Sequence, residues 1–519
     1  MLVGQSTLEC ALIKTIIYLF SYLGLICLLY FYLALSVGGV RAISHPVSIL
    51  IECVGVIEIL WYLLWFLPYK HRLQKQPAVF PPQLSRDHRR ELFQRSLLIT
   101  TDIELFARKW MCGAHMDDIR RENIKEWLLW ALFNREGPPG DDNEELEEYM
   151  DEIEEKMGWE IKPGKGPAQS VRLNFDRIKV THRSLLYYAF LGTTDFITSM
   201  ILMISGFRFY SQPRSAFFKS FPFRFMTLLY TYKSASPDLS YFYRPHKSSK
   251  HRPIVFIHGV GIGLAPYIPA LLKIPKDIGI LAIEIMQVSS RITTPLPLAI
   301  DLIREIGDIV SQQNLDNFVF IGDSYGTFFT SLFLQSPFLA SKTHSVMMID
   351  PVSVLLHLPD VAFNFTRRKP VEPNELELYW AVQTEPGIAF TLGRRFCWRD
   401  HVVWREDLLS RSTTIIMGGD DCIVNAEAIA SYITNGSLEW TWEDRESWKK
   451  SLREWKGEGL ELVWLEGYDH GQGIMSPRML PKIVGMIERY CEITNERRNS
   501  FEPDSKFGEG MSNREGLDI

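Results

Sequence analysis

One serine, two adjacent aspartates and one histidine in the C-terminal half of this sequence have the residue types and the order that nucleophilic catalysis requires. Ser324 lies in a Gly-Asp-Ser-Tyr-Gly motif, Asp420 and Asp421 follow an apolar run, and His470 follows another. A serine hydroxyl is a weak nucleophile until a base removes its proton, and the base needs a carboxylate to orient it. The order serine, aspartate, histidine therefore predicts covalent chemistry at Ser324, with His470 as general base and then general acid.

The sequence around the serine predicts how its hydroxyl is presented. Residues 318–321 are apolar, as in a buried strand, and the apolar positions after residue 326 indicate the buried face of a helix. Between a strand and a helix, the G-x-S-x-G pattern predicts a nucleophile elbow, a strained turn that lifts the serine clear of a sheet. Gly322 and Gly326 carry no side chain, so the two segments can cross closely there.

The elements that would position these residues form an alternating pattern. Short apolar runs typical of strands occupy residues 253–258, 280–285, 318–321, 345–349, 413–417 and 460–465. Helical stretches separate most of them, which predicts a mostly parallel sheet wrapped by helices. The serine, the aspartate pair and the histidine each follow the end of a strand, where open parallel sheets place their sites. The interval 352–412 exceeds a normal crossover and predicts a helical cap.

These features make the last 270 or so residues resemble the α/β-hydrolase superfamily, and the whole organisation resembles membrane-anchored fungal hydrolases of this fold. Besides the elbow, three segments carry the resemblance: His258-Gly-Val-Gly-Ile-Gly263 is similar to the family's H-G-x-G oxyanion loop, Gly418-x-x-Asp421-x-x-Val424 to its acid turn, and Asp469-His470-Gly471 to its histidine loop. The resemblance implies an α/β-hydrolase fold with a helical cap.

The resemblance also implies roles for individual residues. Its acid turn favours Asp421 over Asp420 as the carboxylate that orients His470, with Asp350 as a third candidate. The backbone N–H groups of Tyr325 and Val260 would form the oxyanion hole. The surrounding loop structure would come from His258, Gly259, Gly322 and Gly326, with His258 bracing the oxyanion loop.

Composition limits the remaining possibilities. A chain of 519 residues with 46% hydrophobic residues is expected to form two or three units, and a net charge of −6 argues against nucleic acid as a partner. No cysteine, histidine or aspartate cluster has metal-ligand spacing, and no glycine-rich loop has phosphate-loop spacing, so we expect no metal and no cofactor. The seven cysteines are dispersed, which favours a reducing compartment without disulfides.

The N-terminus predicts membrane anchoring. Residues 15–40 carry no charge, and residues 48–68 form a second apolar stretch interrupted by Glu52 and Glu58. Both are long enough to cross a bilayer, so residues 1–75 are predicted to be a transmembrane hairpin. Only Arg41 is basic between the spans, whereas Lys70, Arg72 and Lys75 follow them. The positive-inside rule then places the rest of the chain in the cytosol, on the endoplasmic reticulum or a similar endomembrane.

The remainder is divided by composition. Residues 76–239 are predicted to be a helical accessory region with an acidic amphipathic helix at 141–155. Its apolar segment 184–206 contains Asp195 and is interpreted as a buried or interfacial helix, with a third membrane span as the alternative. Residues 240–492 are assigned to the hydrolase domain, and the polar tail 493–519 is expected to be disordered.

These observations favour a membrane-anchored serine hydrolase that cleaves a lipid-like or other hydrophobic ester. An acyltransferase with the same triad is the alternative, because both reactions proceed through the same acyl-enzyme. A non-catalytic, hydrolase-like scaffold is the third possibility. In the cap, Arg394, Arg395 and Arg399 could meet an anionic substrate group, but salt bridges within the cap are the favoured interpretation.

Overall fold

A computed structural model describes residues 6–493, and the predicted disordered tail lies outside the described residues except for residue 493. The described chain is built on one eight-stranded sheet. Its strands are β1 Arg208–Tyr210, β2 Ser240–Arg244, β3 Ile254–Ile257, β4 Ile280–Glu284, β5 Phe318–Asp323, β6 Thr343–Ile349, β7 Thr413–Gly418 and β8 Leu460–Leu465. Their order in the sheet is β1-β2-β4-β3-β5-β6-β7-β8.

The strand β2 pairs antiparallel with both β1 and β4, and the pairings from β4 through β8 are all parallel. Apolar clusters cover both faces of the sheet, which explains why the central strands are continuous apolar runs rather than alternating ones. This arrangement confirms the predicted α/β-hydrolase fold. The strand β1 comes from the segment that composition assigns to the accessory region, and its three residues are too few to show a strand pattern.

Helices flank the sheet between the strands. In the hydrolase region they are Ile268–Lys273, Ala299–Gln312, Phe328–Gln335, Pro337–Lys342, Ala426–Asn435, Trp442–Trp448, Ser451–Glu454, Gln472–Met475 and Leu480–Cys491. Between β6 and β7 lie the short helices of the predicted cap, Pro359–Thr366, Pro373–Leu378, Pro386–Arg394, Trp398–His401 and Arg405–Leu408.

The accessory region contains four helices before its last apolar segment: Arg86–Ile99, Ile103–Trp110, Arg121–Phe133 and Asn143–Met157. The first three are separate helices, because Asp102 caps the start of the second one and Cys112 adopts a positive φ of 56° after its end. The acidic helix Asn143–Met157 buries its apolar face; of its acidic side chains Glu144, Asp151 and Glu155 are exposed, whereas Glu145 is buried. Leu185–Ile204 and Met226–Leu229 complete the helices that precede β2.

This region packs against the cap. Lys109 forms an ion pair of 2.9 Å with Asp360 of the cap, and Arg95 forms one of 2.7 Å with Glu406. Arg394 and Arg399 of the cap do not form the expected salt bridges. Arg394 donates to the backbone carbonyls of residues 76, 174 and 176. Arg399 donates to those of residues 82 and 132. A guanidinium has five N–H donors, so it can satisfy several carbonyls at the ends of irregular segments.

Three helical segments are long and apolar enough to cross a membrane: Thr7–Ile43, Pro46–Lys75 and Leu185–Ile204. The first two form an antiparallel pair joined at residues 44–45. Their packing is close, because a Cβ added to Gly55 would lie 2.7 Å from the Cβ of Cys27. The first helix is kinked at Tyr22, where φ is −122° and ψ is 19°.

Candidate active site

The turn after β5 has the geometry of a nucleophile elbow. Ser324 follows the last residue of β5 directly and adopts a φ of 49°, a strained value for a residue with a side chain. A Cβ on Gly326 would lie 2.2 Å from the carbonyl oxygen of Ile257 in β3, and one on Gly322 would lie 2.6 Å from the carbonyl oxygen of Gly326. Only glycine fits at these two positions, so the sequence around Ser324 determines the turn.

The ends of β7 and β8 bring two further side chains to this turn. Asp421 lies three residues beyond β7, and His470 lies five residues beyond β8. The Ser324 hydroxyl lies 2.8 Å from His470 Nε2, and His470 Nδ1 lies 2.7 Å from Asp421 Oδ2. Residues 324, 421 and 470 are far apart in sequence, and the parallel sheet places them in one hydrogen-bonded row.

The Asp421 carboxylate is completely buried and fully engaged. Its Oδ1 accepts the backbone N–H groups of Ile423 at 2.8 Å and Val424 at 3.0 Å, which leaves Oδ2 for His470. Because a carboxylate only accepts, the neutral imidazole carries its proton on Nδ1, and its Nε2 then accepts from the serine. The neighbouring Asp420 is exposed, and its backbone N–H donates to the carbonyl of Tyr468.

Electrostatics at His470 favour the protonated ring. Burial alone lowers the pKa of His470, but the charge and hydrogen bond of Asp421, together with the charge of Asp350, raise this pKa to about 9. A proton taken from Ser324 would therefore be held strongly while charge develops on the substrate.

Asp350, the third candidate for the carboxylate that orients His470, lies outside the row of Ser324, His470 and Asp421. It lies directly after β6, is 1% exposed, and accepts the backbone N–H groups of Gly418 at 2.9 Å and Gly471 at 2.7 Å. It thereby joins the end of β7 to the loop that carries His470. Burial raises the pKa of Asp350 to about 7.

Asp469 connects the same loop to the acid turn and to the cap. Its Oδ1 accepts the backbone N–H groups of His470 at 2.7 Å and Cys422 at 2.8 Å, and its Oδ2 accepts from the Asn374 side chain at 2.7 Å. Burial alone raises the pKa of Asp469, but these three hydrogen bonds lower it below its usual range. The cap and the catalytic loops are therefore coupled through one ionised carboxylate.

The loop after β3 is held from two sides. His258 is completely buried; its Nε2 accepts the backbone N–H of Ile285 at 3.0 Å, so its Nδ1 donates to the carbonyl of Gly259 at 2.7 Å. The Tyr267 hydroxyl accepts the N–H of Gly259 at 3.0 Å and donates to Asp323 Oδ2 at 2.5 Å. Burial raises the pKa of Asp323 to about 6.

An apolar cavity opens onto the serine. Val260, Ser324 and Tyr325 line it together with apolar side chains of the elbow helix and the cap, among them Phe328, Phe365 and Phe396. Both residues expected to supply oxyanion-hole N–H groups thus border the same cavity as the serine. Among residues 6–493, no group of three or more histidine, cysteine, aspartate and glutamate side chains could hold a metal ion.

Sequence reasoning missed several residues of this site. Tyr267 and Asn374 carried no local signal, because their partners are 56 and 95 residues away along the chain. Asp350 is named from the sequence only as a third candidate for the orienting acid, and its hydrogen bonds to Gly418 and Gly471 carry no local signal.

Comparison with known proteins adds the following. No protein-family model matches the chain, and no curated protein matches it at a significant level. Solved structures that resemble it include a membrane phospholipase A described as a bacterial virulence factor, at 12% identity, with 58% of this chain and 94% of that chain covered and a TM-score of 0.36.

A second is the naproxen esterase of Bacillus subtilis, at 13% identity, with 48% of this chain and 86% of that chain covered and a TM-score of 0.33. A third is a peroxisomal α/β-hydrolase of Saccharomyces cerevisiae, at 13% identity, with 51% of this chain and 86% of that chain covered and a TM-score of 0.31. At such identities and scores, the activity has to be argued from the geometry of the site itself.

Proposed function

We propose that this protein is a membrane-anchored serine hydrolase that cleaves a lipid-like or other hydrophobic ester. The observation that carries the proposal is the row of hydrogen bonds from Ser324 through His470 to Asp421, which borders an apolar cavity. The row supplies an activated nucleophile, and the cavity accepts an uncharged, hydrophobic substrate.

The proposed reaction has two halves. The Ser324 Oγ attacks the ester carbonyl carbon while His470 Nε2 takes the hydroxyl proton, and the oxyanion is bound by the N–H groups of Tyr325 and Val260. Collapse of this intermediate breaks the bond to the alcohol, which leaves with the proton from His470. Water, deprotonated by His470, then attacks the acyl-enzyme and releases the carboxylic acid and the free serine.

The test is a Ser324→Ala variant. We expect it to lose labelling by a fluorophosphonate probe and hydrolysis of hydrophobic esters, with an unchanged melting temperature. Labelling at the wild-type level would contradict the assignment. Product analysis with and without an added long-chain alcohol distinguishes hydrolysis from acyl transfer, because only a transferase would form the new ester.

We further propose that the anchor is a hairpin of two spans. The first helix, Thr7–Ile43, has 37 residues, more than the roughly 20 that cross the hydrocarbon core, and its backbone leaves the helical range at Tyr22 and Gly39. Its side chains are largely exposed, as Leu29 at 61% and Val40 at 71% illustrate. The aromatic segment Trp61–Phe66 lies near the C-terminal end of the second span, where an interfacial belt is expected.

Helix Leu185–Ile204 is proposed to lie at the membrane surface rather than to cross it. The chain before it and the chain after it pack together, as in the ion pairs of Lys109 with Asp360 and Arg95 with Glu406. Two segments in contact lie on one side of a bilayer, so a single helix between them cannot cross it.

The polar groups of this helix support the same placement. Its first N–H groups, of Leu185 and Leu186, donate to Glu58 at 3.0 and 3.3 Å, and its Asp195 pairs with Arg224 at 3.2 Å and Arg291 at 3.0 Å. Glu58 and Asp195 are thus hydrogen-bonded or ion-paired within the protein, whereas a buried carboxylate oxygen of Glu52 has no partner among the described residues.

With two spans, the basic residues after the hairpin predict that both termini and Ser324 face the cytosol, in an endomembrane such as the endoplasmic reticulum. Asn364 and Asn435 lie in glycosylation motifs that are used only in the secretory lumen. Asn435 is the better reporter because it is exposed, whereas the Asn364 amide donates to the carbonyl of Ile423 at 2.9 Å.

The test is an endoglycosidase digest of the protein from its native host. We expect no mobility shift. A shift that disappears when Asn364 and Asn435 are both mutated would overturn the cytosolic placement.

A further inference from the structure

A second apolar cavity adjoins the one at the serine. It lies among the helices Arg86–Ile99, Ile103–Trp110 and Arg121–Phe133. Three side chains, Trp110, Trp130 and Trp398, line both cavities. The helical accessory region, which contributes none of the three residues in the catalytic row, thus provides a compartment directly beside it.

The tryptophans are fixed in place by their ring N–H groups. Trp130 donates to Asn174 at 3.0 Å, Trp398 to the carbonyl of Ala131 at 2.9 Å, and Trp110 to the carbonyl of His357 at 3.3 Å. Because every indole N–H is already bonded, the rings offer hydrocarbon faces to both cavities. A ligand between them meets flat apolar surface rather than hydrogen-bond donors.

The rest of the lining excludes charge. The hydroxyls of Ser96 and Thr100 donate to carbonyls of their own helix, at 2.8 and 2.9 Å, so they do not need a ligand partner. His357 is the one titratable residue in the lining. Burial lowers its pKa to about 3, so the ring is neutral at physiological pH. Trp127 also lines this cavity, and its ring N–H and both ring nitrogens of His357 are buried without a hydrogen-bond partner among the described residues. The lining is therefore neutral and mostly apolar, which fits a hydrocarbon chain better than a charged group.

We propose that the second cavity binds the distal part of the substrate's acyl chain, so that the enzyme selects long-chain esters. The carbonyl would lie at Ser324, the first methylenes would fill the cavity beside it, and the remainder of the chain would pass the tryptophans into the accessory region. The proposal rests on the proposed hydrolase function, and it assigns to residues 86–133 the choice of chain length.

The kinetic test blocks the second cavity from two directions. Ser96 is partly exposed on its helix, so Ser96→Phe can fill the cavity without overpacking a closed core; Ala131→Leu fills it from the opposite, buried side. The matched control is Leu98→Phe, at a position of the same helix that is 80% exposed and outside the cavity. Each protein is assayed with a butanoate and a hexadecanoate ester.

Each methylene that is kept out of an apolar site should cost about a fourfold preference. We therefore expect the hexadecanoate-to-butanoate ratio of kcat/KM to fall at least about tenfold in Ser96→Phe and Ala131→Leu. The butanoate activity should stay within about twofold of wild type, because that chain ends in the first cavity. The Leu98→Phe variant should keep the wild-type ratio.

A binding test separates this inference from the hydrolase assignment. Tryptophan fluorescence of the Ser324→Ala variant is titrated with terminally brominated hexadecanoic acid, whose bromine quenches nearby indoles. We expect saturable quenching that is lost when Ser96→Phe is added. If the wild type hydrolyses no ester but quenching behaves in this way, the hydrolase proposal fails and the chain site stands. If esters are hydrolysed with an unchanged chain-length ratio in both blocked variants, or quenching persists in them, the inference is wrong.

Discussion

The choice between two adjacent aspartates gives a sharp test of the catalytic geometry. In an Asp421→Asn variant the amide oxygen would keep the two backbone N–H groups of Ile423 and Val424, because only an oxygen can accept them. The amide NH₂ would then replace Oδ2 and point at His470 Nδ1, 2.7 Å away in the native protein. This donor forces Nδ1 to become the acceptor, so the ring proton moves to Nε2 and blocks removal of the proton from Ser324.

The size of the effect follows from that tautomer. An imidazole with the wrong tautomer typically lowers turnover by about 10⁴-fold, which corresponds to about 5.5 kcal/mol of transition-state stabilisation. Because the backbone hydrogen bonds of the acid turn are retained, the melting temperature should change little. The Asp420→Asn variant is the matched control, and we expect its activity to remain within about threefold of wild type because its side chain is exposed.

The assay is the turnover of a hydrophobic ester together with the rate of fluorophosphonate labelling. Both should fall in parallel for Asp421→Asn, since both depend on removal of the serine proton. A loss that is larger for Asp420→Asn, or an Asp421→Asn variant that retains a tenth of wild-type turnover, would refute the reasoning from the hydrogen-bond pattern.

Three further predictions follow from the geometry. A base must be unprotonated, so the pKa of about 9 at His470 predicts that kcat/KM rises with pH well into the alkaline range; a plateau reached below pH 7 would contradict it. Tyr267→Phe removes the acceptor of the Gly259 N–H and should lower kcat about tenfold with little change in KM, whereas an effect on KM alone would exclude a role in positioning the oxyanion loop. Gly326→Ala should reduce the free energy of unfolding by about 3 kcal/mol or more. Its control, Gly485→Ala, lies in a helix with open space around it and should raise the free energy of unfolding by up to about 1 kcal/mol. Equal melting temperatures of the two variants would contradict the clash at the elbow.

The parts of this structure that the sequence predicts are those with a local physical signature. The elbow is readable because a strand, two glycines and a helix are contiguous, and the two glycines are required by contacts at 2.2 and 2.6 Å. Six of the eight strands are readable because strands buried on both faces are continuous apolar runs. The two remaining strands, Arg208–Tyr210 and Ser240–Arg244, combine aromatic with charged residues at one side of the sheet and give no such run.

The parts that could not be predicted depend on contacts between distant segments. The cap arginines show why: a guanidinium near aromatic residues suggests a salt bridge, yet Arg394 and Arg399 bind carbonyls more than 200 residues earlier in the chain. Nothing local distinguishes a carbonyl partner from a carboxylate partner. The same limit hid the link from Tyr267 to Asp323, because the tyrosine becomes adjacent to the elbow only when β3 pairs with β5.

The dependence of the cap on the accessory region changes how the molecule should be divided. Composition separates residues 76–239 from a hydrolase unit that begins at residue 240, but the contacts cross that line. The indole of Trp398 in the cap donates to the carbonyl of Ala131, and Trp110 in the accessory region donates to the carbonyl of His357 at the start of the cap. The side chain of Asn374 in the cap in turn donates to Asp469, the residue that precedes His470. A displacement of the accessory helices would therefore reach the catalytic histidine loop through the cap, so these helices are part of the structure that holds the site in place.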